Sequence, residues 1–313
     1  MTMKGKFNIQ LEMVEYTRKY GIKATARAVK VTRPIVRKWC TRYKDEGLDG
    51  LRDRSRAPNH IKYYLFILLF LINSVILAND PEIYIKRGDK YYKQFQVHEA
   101  LNEYQMAYSI NPSNNEVLAR LALVNNDIGE KINYFKQNEK EISHYKDAVK
   151  YAELLNELVP NHHRTYFLLA RSYGNLASAS DLTTGVSFIP KILKYVNNSI
   201  TISENYLPAN LYLGALSREL ANINGVDRFI ANTFIGNIPT YTNKDSLAIL
   251  LKMYKLFPEN NMVNYELAET YVKVGELEKA RTHYSKSIEQ SAYGYRGYLN
   301  KLRAKEKLLK LSK

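Results

Sequence analysis

Apolar residues recur at helical spacing through residues 1–60, here called the head. Leu11 and Val14 begin an apolar stripe that Met13 and Tyr20 extend more loosely. Gly21 is placed to end that helix. The stretch ATARAV then predicts a short second helix.

A third helix is predicted from Thr32, which can cap it, with Pro34 in its first turn, where a missing N–H costs little. Its apolar positions fall at i, i+3, i+4 and i+7 and predict a buried face: Val36, Trp39, Cys40 and Tyr43. The opposite side of the same helix carries basic and hydroxyl residues: Arg33, Arg37, Lys38 and Thr41. Three short helices of this kind fit a helix-turn-helix whose third helix enters a DNA major groove.

The hydrophobic pattern changes in residues 61–79. Tyr63 to Ala78 are sixteen mostly apolar residues, and a helix of that length is about 24 Å long, short of a roughly 30 Å hydrocarbon core. The order of Lys62, the apolar run and a small residue at Ala78 is typical of a signal peptide, or of an anchor if it stays uncleaved. The alternatives are a buried core helix, or membrane contact through 63–78.

Residues 81–313, here called the body, show a repeated helical pattern. Counted from Pro81, small residues fall at positions 8, 20 and 27, bulky residues at 4, 11 and 24, and a proline at 32: Tyr84, Gly88, Tyr91, Ala100, Tyr104, Ala107 and Pro112. Small residues let two helices approach closely, and proline ends the second helix. This unit resembles the tetratricopeptide repeat (TPR).

Later units keep parts of this pattern. The second unit resumes after a charged insertion of about fourteen residues, and the third and fourth open with Ala170 and Tyr173 and with Gly214. The last unit contains Ala268, Tyr271 and Ala280, and residues 291–313 are predicted to form a basic capping helix. The expected fold is therefore all-α: a small three-helix helix-turn-helix head, a hydrophobic helix, and a TPR-type α-solenoid.

Composition separates the head from the rest. Residues 1–62 hold 16 Lys and Arg against 6 Asp and Glu, whereas residues 63–313 hold 30 against 25. Asparagine occurs twice in the first 60 residues and 26 times afterwards. The head is thus a candidate for a polyanionic partner, and the contrast indicates that two unrelated coding segments were joined. The lone Cys40 excludes an intrachain disulfide.

The stretch from Lys23 to His60 resembles the N-terminal helix-turn-helix of insertion-sequence transposases. The matching features are Ala26, Val31-Thr32, Trp39 and the Gly47–Arg56 tail. Lys30 stands where the family usually has glycine, at a cost of roughly 1–2 kcal/mol in a left-handed turn. The resemblance and the helix pattern assign DNA contact to Thr32, Arg33, Arg37, Lys38, Thr41, Arg52, Arg54 and Arg56, against the alternative of a solvated helix face. The catalytic domain that follows in that family is replaced here by the apolar segment and repeats, so transposition is not implied.

The sequence favours a non-enzymatic scaffold that binds a protein or peptide on the concave repeat surface. Its histidines are not paired with a nucleophile at a readable spacing, and no cofactor or metal site is indicated. Leu211 to Tyr284 is faintly similar to the helical repeats of the regulator-of-microtubule-dynamics family, with no function carried over. We expect an exported or membrane-anchored body with a cytoplasmic head. The alternative function is a DNA-binding regulator, either soluble or across a membrane, that senses partners or signals through its repeats, and the alternative location is the cytoplasm.

Overall fold

The protein is helical throughout the residues that its structure describes. A computed structural model describes residues 3–52, 80–137, 140–236 and 238–311, and this part of the chain contains helices and turns without a strand. The chain divides into two compact units, which hold the head and the body respectively. The predicted all-α fold is confirmed.

Two α-helices and a short 3-10 helix make up the described head. They are α1 (Met3–Ala28), α2 (Arg33–Glu46) and the 3-10 helix Gly47–Leu51. Gly21 breaks α1 as the sequence predicted, with a non-helical φ of 80° and ψ of 163°. Lys30 adopts the expected left-handed conformation, with φ 54°.

The head core is small. Met13, Ala26 and Val36 are buried, and Trp39 and Cys40 pack against them while partly exposed. Two details differ from expectation. The predicted buried face of α2 is fully buried only at Val36. Thr32 occupies the N-cap position but its side chain makes no capping hydrogen bond.

The body begins with α3 (Pro81–Lys93), after residues 61–79, which lie outside the described part of the chain. None of the described helices is both long and apolar enough to span a membrane. The remaining helices of the body are α4 (Val97–Ile110), α5 (Asn115–Phe135), α6 (Glu141–Leu158), α7 (His163–Ser178), α8 (Leu182–Ser187), α9 (Ile189–Ile202), α10 (Leu207–Ala221), α11 (Gly225–Ile235), α12 (Asn243–Leu256), α13 (Asn261–Lys273), α14 (Leu277–Glu289) and α15 (Gly294–Leu311).

These helices pack as pairs: α3 with α4, α5 with α6, α7 with α9, α10 with α12, and α13 with α14. The small residues of the repeat pattern lie where paired helices touch. A Cβ atom at Gly88 would lie 2.4 Å from Cε1 of Tyr104, and one at Gly214 would lie 2.7 Å from Cδ2 of Leu250. The close approach therefore requires glycine at both positions.

In the second helix pair, the structure differs from the insertion that the sequence predicted. Helix α5 extends to Phe135 and α6 begins at Glu141, so most of the supposed insertion is helical. The extension is stabilised by burial, since Ile132 is 1% exposed and Tyr145 is 4% exposed. Apart from the buried Glu130, the described charged residues of the stretch are exposed or half-buried on the two long helices, which explains why the sequence indicated a charged insertion.

Two short helices are inserted within consecutive pairs. Helix α8 separates α7 from α9, and α11 separates α10 from α12. They pack on each other through Val186, Ala231 and Ile238. The segment from Leu182 to Pro190 thus contains one of two short helical insertions that pack together.

Helix α15 does more than cap the solenoid. It packs on α14 through Ala304, which is fully buried with Tyr284. It also contacts α13, α5 and α3, so it reaches from the last helix pair back to the first. The predicted capping helix is present, but its path across the inside of the solenoid was not foreseen.

Candidate binding cavity and candidate nucleic-acid interface

A cavity of about 630 Å³ lies inside the body. Its lining comes from the first helix of every pair and from α15. The concave face was expected to be lined by these first helices, and the structure places them there. Helix α15 adds a wall that turns an open groove into a partly enclosed cavity.

Much of the wall is aromatic or aliphatic. The apolar lining includes Phe95, Leu123, Phe167, Leu211 and Met262. Such a surface favours an apolar group of a ligand. The cavity also contains a few polar side chains, and these are held in fixed positions.

A buried ion network forms one polar side of the cavity. Arg171 donates hydrogen bonds to Asp127 Oδ1 at 2.6 Å and Glu130 Oε1 at 2.8 Å. Tyr92 donates its hydroxyl to Asp127 Oδ2 at 2.6 Å. The Arg171 and Asp127 side chains are 3% and 1% exposed, so this network is shielded from water.

The two carboxylates in this network have opposite pKa shifts. Burial raises the pKa of Asp127, an effect that the nearby Glu130 charge reinforces and Arg171 only partly offsets. Burial also acts to raise the pKa of Glu130, but Arg171, Arg296 and Arg303 outweigh it and hold the pKa at about 2. Glu130 is therefore the carboxylate that most firmly keeps its charge.

Glu266 supplies a second carboxylate at the cavity wall. Arg218 donates to it at 2.9 Å, and Arg296 lies 3.7 Å from its other oxygen. Glu266 comes from α13 and Arg218 from α10, so this ion pair joins two adjacent pairs. It fixes a negative charge beside the cationic side chains of the cavity.

Two buried donors in cavity-lining residues have no hydrogen-bond partner within the described protein. They are Nε of Arg171 and Nδ2 of Asn300, in residues that are 2% and 1% exposed. Buried donors in proteins are nearly always paired.

The mouth of the cavity is basic and aromatic. Lys93 and Tyr293 are exposed there, and Tyr293 is 68% accessible. Arg164 also lines the cavity while it pairs with Glu116 at 3.1 Å. With Arg171 and Arg296, these cations outnumber the lining carboxylates Asp127 and Glu266.

The repeat-signature residues serve helix packing and do not line the cavity. Most are buried or half-buried between helices, namely Gly88, Tyr91, Ala100, Ala107, Ala170, Tyr173, Gly214, Ala268, Tyr271 and Ala280. Pro112 is exposed just after α4 ends. Sequence reasoning missed the cavity residues. The available signal was the polar run Asn125-Asn126-Asp127 inside an otherwise apolar helix.

The head presents a separate basic surface on α2. The candidate residues of the described head are all exposed: Thr32 at the N-cap of α2, Arg33, Arg37, Lys38 and Thr41 on α2, and Arg52 after the 3-10 helix. Arg52 lies 3.4 Å from Asp49, which offsets part of its charge. Lys38 and Arg42 lie over the Trp39 ring, at 5.4 and 5.2 Å from its centroid. Arg54 and Arg56 lie outside the described residues.

Histidine and carboxylate positions in the described ranges do not form a group of three that could hold a metal ion. His162 has a structural role at the start of α7, where its Nδ1 accepts from the Arg164 backbone N–H at 3.3 Å. This contact accounts for the first residue of the His162-His163 pair.

Comparisons with known families match both units. The model described as Regulator of microtubule dynamics protein 1-3 matches residues 84–312. The model described as Helix-turn-helix domain matches residues 10–59. The search of curated proteins returned no match. The predicted combination of a helix-turn-helix head and a TPR-like region is confirmed.

Solved structures give the fold of the body. A thermophilic TPR protein from Thermus thermophilus is 19% identical, covers 73% of this chain and 99% of its own, and has a TM-score of 0.53. MamA is 15% identical over 67% of this chain and 90% of its own, with a TM-score of 0.35. YrrB, a TPR protein with an unusual peptide-binding site, is 16% identical over 73% and 93%, with a TM-score of 0.34. The first of these supports a TPR-like fold.

Proposed function

The chain belongs to the regulator of microtubule dynamics protein 1-3 family over residues 84–312, and from that premise we propose a protein-interaction function for the body. The TPR-like solenoid binds a segment of a partner protein in its cavity. The observation that carries this proposal is the cavity itself, in which an apolar wall lies beside cationic side chains.

A peptide has the chemistry that these groups require. A carboxylate of the peptide can pair with the exposed Lys93, while an apolar side chain packs near Phe167 and Met262. The excess of cationic lining residues favours an acidic side chain or a terminal carboxylate. We therefore expect the segment to combine an apolar residue with a negative charge.

Peptide selection tests this proposal. Full-length protein is used to select from a displayed library of random peptides, and selected peptides are measured by fluorescence anisotropy. Leu123→Trp fills part of the cavity and is expected to weaken binding at least tenfold. The matched control is Leu251→Trp on α12, because Leu251 is exposed and does not line the cavity. If no peptide binds, or if Leu123→Trp leaves binding unchanged, the cavity is not a peptide site.

The head supports a second function, DNA binding. Its support is the exposed basic side of α2, with Arg33, Arg37 and Lys38, on a chain whose head matches a helix-turn-helix family. In a mobility-shift assay at low salt, full-length protein is expected to shift duplex DNA, and the shift should weaken steeply as salt rises. Arg37→Ala should weaken it, whereas Lys90→Ala in α3 should not. A shift that is equally strong in both variants would contradict the assignment.

The cellular arrangement remains the one proposed from the sequence. Residues 61–79 act as an export signal or membrane anchor that places 81–313 outside the cytoplasm, while the transposase-like 1–60 segment stays inside. Support comes from the order of basic, apolar and small residues. Fractionation of the full chain tests it, and a chain starting near residue 61 should be cut after Ala78. Recovery of the body in the cytosol would refute export and favour the cytoplasmic alternative.

A further inference from the structure

Helix α15 meets the first helix pair through an aromatic contact. The Phe95 ring, in the turn between α3 and α4, stacks on Tyr298 with 4.9 Å between centroids and 20° between planes. The same ring meets Tyr295 edge-on, at 6.4 Å and 64°. Phe95 also lines the cavity, so this contact lies beside the proposed binding site.

Phe95 has a backbone conformation that favours glycine. Its φ is 62°, in the left-handed region. The equivalent turn of the last pair, between α13 and α14, has Gly275 with φ 80°. Both turns make the same hydrogen bonds: Phe95 N–H donates to Tyr92 and Gly275 N–H to Val272. The first turn therefore carries a strained phenylalanine where the last has glycine, and strain of this kind persists only where other contacts stabilise it.

The other side of α15 is attached to its own end of the solenoid. Ala304 is fully buried with Tyr284 of α14, and Asn261 Nδ2 on α13 donates to the Gly297 carbonyl at 2.8 Å. Toward the first pairs, Tyr295 and Leu299 are buried in the core that those pairs share. The contacts of the later part of α15 with α5 are more exposed: Tyr134 donates to Glu306, and Arg303 lies 5.5 Å from the Tyr134 ring centroid. Helix α15 makes fewer contacts with α3 and α5 than with α13 and α14, so we expect any separation of α15 from the solenoid to begin at α3 and α5.

We propose that the Phe95–Tyr298 stack is a clasp that holds α15 against the first helix pair and restricts access to the inner cavity. Separation of the two rings exposes the buried end of the cavity, where Asp127 and Arg171 lie, and admits the ligand. This inference rests on the proposed function in that it assigns an entry route to the same cavity. Phe95 acts as a positioning residue for α15.

A thiol probe measures the opening without any ligand. Ala119→Cys places a thiol in the cavity wall at a position that is 2% exposed, in a full-length Cys40→Ser background. A small disulfide reagent modifies this thiol, and the rate is measured at reagent concentrations to which it is proportional. Under these conditions the rate reports the fraction of molecules in which the cavity is open. Phe95→Gly is expected to raise the rate about threefold to tenfold, as loss of one aromatic pair implies.

Tyr298→Leu should raise the rate similarly, and the double variant should exceed the larger single effect only slightly, because both remove one contact. Tyr108→Leu is the matched control, because the Tyr108 ring meets Tyr151 edge-on and this pair lies away from α15. Phe95→Gly removes backbone strain, and unchanged circular dichroism would show that it folds. Unchanged rates in Phe95→Gly and Tyr298→Leu, or an equal rise in Tyr108→Leu, would overturn the clasp. Because no peptide is used, a failed peptide selection cannot produce either result.

Discussion

Replacing Arg171 with methionine is expected to destabilise the body strongly. Methionine replaces the aliphatic part of the arginine side chain but lacks its guanidinium group. Two buried carboxylates then lose their cation, because Arg171 contacts Asp127 at 2.6 Å and Glu130 at 2.8 Å. The Asp127 side chain is 1% exposed and that of Glu130 is 11% exposed. Removing one partner from such a buried network costs about 3–5 kcal/mol of unfolding free energy. For a body of this size, that loss lowers Tm by about 6–20 °C.

The loss of unfolding free energy caused by Arg171→Met should be smaller at pH 5 than at pH 8. In the parent protein Glu130 has a folded-state pKa of about 2, below its ordinary value, so its stabilising contribution is present above about pH 4.5 and is lost as pH falls toward 2. Without Arg171, burial and mutual repulsion raise the pKa values of both carboxyl groups, and protonation relieves the penalty. The difference in stability between parent and variant should therefore shrink from pH 8 to pH 5.

Urea unfolding of the full chain, followed by far-UV circular dichroism at both pH values, measures this effect. The matched control is Arg164→Met, because the Arg164 side chain is 36% exposed and its pair with Glu116 should contribute less than about 1 kcal/mol. Adding Asp127→Asn and Glu130→Gln to Arg171→Met should restore much of the lost stability. A loss equal to that of the control, or one that is identical at pH 5 and pH 8, would refute the reasoning.

Three further substitutions test other parts of the structure. Gly88→Ala should lower the free energy of unfolding, measured in urea, by about 1–3 kcal/mol, because the new Cβ would lie 2.4 Å from the Tyr104 ring. Gly225→Ala, where no atom lies within 4 Å, should lower it far less, and equal losses would contradict the close-packing argument. Lys30→Gly should stabilise the head by about 0.5–1 kcal/mol, since φ 54° disfavours lysine, and a lower melting temperature for the head would contradict this. Burial and Lys286 lower the pKa of His283 to about 4, so its contribution to the free energy of unfolding is present above about pH 6.5 and is lost as pH falls through 4. His283→Gln should make the free energy of unfolding less dependent on pH over that interval, and an unchanged pH profile would contradict this.

The sequence determined the local architecture. Apolar spacing and Gly21 predicted the helices of the head, and small residues such as Gly88 and Ala100 predicted close-packed helix pairs. These features could be predicted because helix formation and pair packing depend on residues near in sequence. The same reasoning predicted the basic side of α2, including Arg37, because helical periodicity determines which face of a helix each residue occupies.

Sequence reasoning failed where the surrounding tertiary structure overrides a local pattern. The charged residues after Gly129 indicated an insertion that interrupts the repeat pattern, but burial of Ile132 and Tyr145 supports two long helices there. Phe95 gave no sign of its left-handed conformation, which is set by the turn and stabilised by Tyr298.

Only the tertiary structure decided the candidate site. Asp127, Arg171, Glu266 and Asn300 come from four helices that are far apart in sequence, and the accumulated rotation of successive helix pairs brings them around one cavity. The path of α15 from the last pair to the first closes that cavity. A repeating pattern specifies how each pair packs on the next, but the sum of those small rotations determines which distant residues meet.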